Sequence, residues 1–246
     1  MNRLQSLLIA LGLCASAAAH AVPIAGQGNW QTQLHARDLQ GHAVALDSAA
    51  AVFFYDSLLD VTWLRQAGPA QTWSQAQAWA DGLTVGGYSD WRLPKVVDTG
   101  LPGCARVTYT GGDCGYNVPL EAGGQYSELA YLFHATLGNQ SAYSTTGTFR
   151  GFAGQGTTWG LANTGGFDGL RTDLINWSAS PVVGSANYAW SYHLGLGNQM
   201  LSERGVQGQA LALRNGDVLS PVPEPSALLM MSVGVVGLVL RRRIQR

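Results

Sequence analysis

The chain has 246 residues, 32 of them glycine and eight tryptophan, and a formal net charge of −1. Residues 22–220 hold nine Arg and Lys against fourteen Asp and Glu, which puts this stretch near −5. With Lys95 as its sole lysine and no basic run, it is poorly suited to a nucleic-acid partner. Its length suits one domain with a real core.

The first segment in chain order is an address. Arg3 gives a short basic start, Leu7–Leu13 an apolar core, and Ala19-His20-Ala21 the small–x–small pattern of a cleavage site, so residues 1–21 read as a signal peptide. Residues 22–217 then form the expected domain. Its opening, 28–50, is hairpin-like, with His35 and His42 flanking an exposed "ARDLQG".

Strands are expected at Val52–Tyr55 and Val61–Leu64. Between them Asp56 and Asp60 bracket Ser57-Leu58-Leu59. A carboxylate pair is what a glycosidase needs. The plainer expectation is a turn whose carboxylates accept backbone N–H bonds.

Thr72-Trp73-Ser74-Gln75 has capping-box order, and Trp73, Ala76, Ala80 and Leu83 recur at helical spacing before and around Gly82. A helix is predicted there. "GGYSDWRLP" follows at 86–94. Gly86-Gly87 breaks the chain, Ser89-Asp90 suggests a turn, and Trp91 and Leu93 suggest a short core strand over Trp91–Leu93 that Pro94 ends. Asp90 and Arg92 are expected to bond each other or loop carbonyls. A nucleophile elbow would need glycine where Trp91 stands, so Ser89 is not read as a nucleophile.

Cys104 and Cys114 form an even pair once Cys14 leaves with the signal, and an exported setting favours a disulfide between them. Such a short closed loop contributes about 3 kcal/mol by constraining the unfolded chain. A second helix is expected from Ser127 to Gly138, capped by Ser127. Leu129, Leu132, Phe133 and Leu137 would form its buried stripe, and Gly138 its left-handed stop. No histidine lies in a metalloprotease spacing, and His134 and His193 read as structural.

Further strands are predicted at Trp177–Ala179, Tyr188–Leu194 and Gln209–Arg214. In Tyr188–Leu194 large residues alternate with small or polar ones, the pattern of a half-buried strand. The late segments also supply faces and amides that suit sugar rings and hydroxyls: Trp159, Asn163, Tyr188, Trp190, Tyr192, Asn198 and Gln199. These are the candidate carbohydrate-binding residues. The sum of elements is α+β, with short, mostly antiparallel strands and two main helices.

Residues 218–246 form a second address. Pro223-Glu224-Pro225 precedes an apolar helix over 227–240 and then Arg241-Arg242-Arg243. The apolar run is short for a span, but the arginines can snorkel and would hold the end cytoplasmic as a stop-transfer. Motif, run and basic end together resemble the PEP-CTERM sorting signal of Gram-negative bacteria that make exopolysaccharide. That resemblance implies recognition of Pro223, Glu224 and Pro225 by a membrane exosortase, which removes the tail. The membrane is then a transient partner through the 227–240 helix.

Within the body, "FYDSLLDVTWL", "TWSQAQAWADGLTVGGYSDWRLP", "CGYN", "SELAYLFHATLGN", "NWSAS" and "ALALRNGDV" occur in the order seen in Lcl C-terminal-like domains. That family is named after a bacterial collagen-like adhesin. The resemblance covers residues 28–217 and implies a single compact C-type-lectin-like domain. The adhesin's sulfated ligand uses basic surface, which this acidic body lacks, and Arg65-Gln66-Ala67 replaces a longer loop of many relatives.

These readings predict a non-enzymatic exported protein of the cell surface or extracellular matrix. It would bind polysaccharide or support exopolysaccharide and biofilm structure. The alternatives are a glycosidase-like polysaccharide-modifying enzyme and a protein-adhesion module. No cofactor is expected, with calcium (Ca2+) at the oxygen-rich positions Asp56, Asp60, Asp113 and Asn117 as the alternative, although no EF-hand pattern occurs.

Overall fold

The computed structural model of the chain describes residues 30–98, 114, 127–144, 148–151 and 159–219. Two four-stranded sheets organise them. The first contains β1 (Leu34–Arg37), β2 (Phe53–Asp56), β3 (Val61–Leu64) and β8 (Leu213–Asn215), in that spatial order and all antiparallel. The second has the order β6 (Asn198–Glu203), β5 (Tyr188–His193), β4 (Ile175–Pro181), β7 (Gln209–Ala210), with only the β4–β7 pair parallel. Helices are few: α1 (Trp30–Gln33), α2 (Trp73–Asp81) and α3 (Glu128–Tyr131), the last running into a π turn at Leu132–Thr136. The class is α+β with strands in the majority.

The main core lies between the sheets. Phe54, Trp63 and Leu213 from one sheet meet Tyr192 and Leu194 from the other across Leu129, Leu132, Phe133 and Leu137. The expected stripe of the second helix is therefore its buried face. Gly138 stops it at φ 65°, as a glycine there allows. Two details differ from the expectation. Ser127 makes no side-chain cap; its hydroxyl accepts from Val97 N–H and donates to Gln199 Oε1. The last turn is also widened, with Leu137 N–H bonding Leu132 O at 2.8 Å.

Helix α2 covers the opposite face of the second sheet. Thr72 N–H donates to Gln75 Oε1 at 3.0 Å, so the box read from the sequence closes from its glutamine side. Ala76 and Ala80 pack on Ala189, Ala210 and Trp177. This explains a correction to β5. Its small residues Ala189 and Ser191 are as buried as Trp190 and Tyr192, because a helix rich in alanine can approach a strand lined with small side chains. β5 is covered on both faces.

The run Gln209–Arg214 also departs from expectation. It is two strands, β7 and β8, in different sheets, with the wholly buried Leu211 and Ala212 carrying the chain between them. Trp91–Leu93 is extended but forms only a single bridge, Arg92 to Leu213. The turn in "GGYSDWRLP" falls at Val85–Tyr88, not Ser89–Asp90. Gly86 and Gly87 both have positive φ (61° and 84°), as a type I′ hairpin turn requires. Trp91 and Leu93 are buried, as expected.

Asp90 and Arg92 do not bond each other. Arg92 forks onto Glu128 at the start of α3 (two bonds of 2.7 Å) and reaches Asn215 Oδ1 at 2.8 Å. Glu128 also accepts from Lys95 N–H at 2.6 Å. Asp90 instead clamps Arg214 of β8, whose guanidinium lies 4.5 Å over the Tyr88 ring. The segment is thus a joint that ties the first sheet to the second helix.

At the centre of the second sheet, Asn176 is fully buried and both of its side-chain polar atoms lack a partner. An unsatisfied buried amide costs about 1–3 kcal/mol. Asn176→Leu, similar in shape, is expected to raise the unfolding free energy by about 1–2 kcal/mol in urea titration; a loss of stability would show that the amide is engaged.

Candidate functional site

Residues 142–144 and 148–150 lie against each other beside the β5–β6 turn. Arg150 N–H donates to Ala142 O, and Ser144 N–H to Thr148 O, each at 2.8 Å. Tyr143 and Phe149 pair directly across this small ladder. Its base is fastened to the scaffold: Ala142 N–H and the Ser141 hydroxyl both donate to Leu196 O, at 2.9 and 3.0 Å.

Three aromatic rings line up on it. Tyr143 and Phe149 have centroids 5.3 Å apart, and Trp159 sits 6.2 Å from Phe149. Trp159 Nε1 donates to Gly151 O at 2.7 Å, which locks the indole in place. Phe149 is 40% exposed, while Tyr143 and Trp159 are half-buried. Thr148 and Arg150, both exposed, supply hydroxyl and guanidinium donors beside the rings. An exposed aromatic ladder braced from below presents a hydrophobic face at little conformational cost.

Of the residues singled out from the sequence, Trp159 is in this cluster and the others are elsewhere. Tyr192 is fully buried, its hydroxyl 3.0 Å from His134 Nε2. Trp190 is buried and donates from Nε1 to Asp98 at 2.7 Å. Gln199 is buried and donates from Nε2 to Val97 O at 3.0 Å, while Asn198 is also buried. Asn163 braces the end of the π turn, donating to Leu137 O at 3.0 Å. Tyr188 is half-buried at the opposite end of β5, about 17 Å along the strand from the end nearer Trp159. Tyr143 and Phe149 were missed. Their signal was present as "YSTTGTF", two aromatics around a glycine-bearing turn.

The carboxylate pair is split in role. Asp56 is fully buried and accepts from the Leu58 and Leu59 N–H groups and from the Thr136 hydroxyl (2.9 Å). Burial pushes its carboxyl up, against those hydrogen bonds. Asp60, in a left-handed conformation (φ 51°), accepts from the Tyr55 hydroxyl at 2.9 Å. Among the described residues no group of three or more His, Cys, Asp or Glu is placed to hold a metal ion. Asp113 and Asn117 lie outside them.

So do the expected signal peptide 1–21, Cys104, the Pro223-Glu224-Pro225 motif, the 227–240 run and Arg241–Arg243. Among the described residues no helix is long and apolar enough to cross a membrane. The folded body is held up to its edge. Val218 is fully buried, its carbonyl accepts from the Tyr88 hydroxyl, and the neighbouring Asp217 pairs with Arg37 at 2.7 Å.

A family model described as the PEP-CTERM protein-sorting motif matches residues 221–243. Leu219 and Ser220 separate that match from Val218, the last buried residue among those described. The motif implies processing by an exosortase, transient anchoring in the membrane and export to the cell surface. No curated protein matches the chain.

Proposed function

We propose that the protein is a non-enzymatic component of the cell surface or extracellular matrix that holds polysaccharide on the Tyr143–Phe149–Trp159 ladder. The sorting motif supports the destination. The observation that carries the binding reading is the exposed Phe149 ring flanked by two half-buried aromatics on a fastened hairpin. Pyranose rings offer C–H faces that pack on such rings, and the net acidity of the body favours a neutral or cationic chain over a polyanion. The absence of catalysis is supported by the enclosure of Asp56, which turns one half of the acidic pair inward.

The body is read as an Lcl C-terminal-like domain with a C-type-lectin-like fold. That reading rests on the order of the motifs in the sequence. A Cys104–Cys114 disulfide is part of it, supported by the buried, bonded sulfur of Cys114 packed near Val96 and Trp190.

Affinity electrophoresis of the mature protein through gels containing the producer's own exopolysaccharide tests the binding. Phe149→Ala and Trp159→Ala are each expected to weaken retardation by about threefold to tenfold, since an aromatic ring contact is worth about 0.5–1.5 kcal/mol. Equal retardation of wild type and both variants would refute the assignment. For sorting, alanines at Pro223-Glu224-Pro225 are expected to leave a longer chain in the membrane fraction, read by mass spectrometry. A mature mass unchanged by the substitution would contradict exosortase recognition of that motif.

A further inference from the structure

A concavity of about 410 Å³ opens at the far end of β5 and β6, between Ala186, Asn187, Tyr188, Glu203, Arg204 and Gly205. Its walls are held from behind. Arg204 donates from Nε to Tyr188 O (3.0 Å) and from Nη2 to Ser185 O (3.2 Å), and its guanidinium lies 4.3 Å over the Trp73 ring. Arg204 N–H also bonds Asn187 O at 2.9 Å. The arginine's fork is thus spent on backbone carbonyls and forms no ion pair with its neighbour Glu203.

Glu203 is exposed in this pocket, and no ion pair among the described residues reaches it. Its nearest polar partner is the Tyr188 hydroxyl, at a long 3.5 Å. Tyr188 stands directly across from it on β5, half-buried, and the exposed Asn187 supplies an amide on the rim. The lining thus combines one carboxylate without an ion pair, the backbone-bonded guanidinium of Arg204, one aromatic wall and a neutral amide. Its volume is in the range of small-ligand sites and exceeds what one sugar residue needs.

We propose that this pocket binds a single amino-sugar residue in its protonated form. The ammonium group sits on the Glu203 carboxylate, the ring rests against Tyr188, and Asn187 bonds a hydroxyl. A charge-assisted contact of this kind is about twice as strong as a neutral hydrogen bond, so Glu203 sets the preference for the free amine. The acidic body draws the cation in. The assignment specifies the ligand further than the polysaccharide reading but uses residues distant from the aromatic ladder, so either can fail alone.

The test is an amide-shift titration of the mature protein with the methyl glycosides of glucosamine, N-acetylglucosamine and glucose at pH 6. Glucosamine is expected to shift the Asn187 and Gly205 amides and to bind about tenfold or more tightly than the other two. Glu203→Gln, a surface change that leaves folding intact, should bring glucosamine to the level of glucose. Trp159→Ala should leave its affinity unchanged while weakening retention by the polysaccharide. No shift with glucosamine, equal affinity for all three probes, or wild-type affinity in Glu203→Gln overturns the proposal.

Discussion

Glu128→Ala is expected to remove about 3–5 kcal/mol of stability, the largest loss from any single polar side chain here. The carboxylate is 11% exposed and meets a two-pronged Arg92 together with the Lys95 N–H. Removing it strands a guanidinium that is itself mostly covered, and leaves the start of α3 without its tie to the Trp91–Leu93 segment. Arg92→Ala should cost a similar amount for the converse reason. The double substitution should cost clearly less than the two losses added, because the second change removes the charge that the first left uncompensated. Urea midpoints for the three variants decide it. Strict additivity would mean that the pair does not act as a unit.

Acid should weaken the fold through His134. This imidazole is mostly covered within the π turn, donating from Nδ1 to Asn139 O and accepting from the Tyr192 hydroxyl. Burial pushes its pKa down to about 3 from 6.5, against the raising effect of nearby backbone groups. Between those values the unfolded chain binds a proton that the folded chain refuses, so stability is present above pH 6.5 and drains away as pH falls towards 3. The full span corresponds to a loss on the order of 5 kcal/mol. Asp56 works in the other direction: its raised pKa favours the fold below 3.8, and that contribution is lost as pH rises through the folded value. His134→Gln, which keeps a donor and an acceptor, should flatten or invert the decline between pH 6.5 and 4. An unchanged slope in thermal unfolding would place the acid sensitivity elsewhere.

Both predictions rest on residues whose type was legible and whose partners were not. Helix α2 and strand β3 could be read directly, because Thr72, Gln75 and Gly82 mark one and an apolar run between turn-forming residues marks the other. Those are local signals. The strand β6 escaped notice because "NQMLSE" is polar for a strand; its place is set by pairing with β5 after the Gly195-Leu196-Gly197 turn. The break between β7 and β8 has no sequence mark, since Leu211 and Ala212 are as apolar as their neighbours. Likewise the partners of Asp90 and Arg92 lie 124 and 36 residues away, and only the closed fold brings them together.

The candidate site shows the same division. Aromatic content pointed to sugar recognition, but alternation along β5 sends Trp190 and Tyr192 into the core, where their polar atoms meet Asp98 and His134. Trp159 lies outside that strand and is half-buried beside Phe149, its indole held by Gly151 O. Tyr188 and Glu203 stay accessible for another reason: they pair at the end of their strands, on the face that Ala189 does not turn towards α2.

The most direct test of the account is the location of the processed protein in its producing cells. Matrix, medium and membrane fractions should be compared for wild type and for the Phe149→Ala, Trp159→Ala double variant, each identified by its mature mass. The account predicts wild type in the exopolysaccharide matrix and the variant processed equally but released to the medium. A processed variant retained in the matrix as fully as wild type would contradict it.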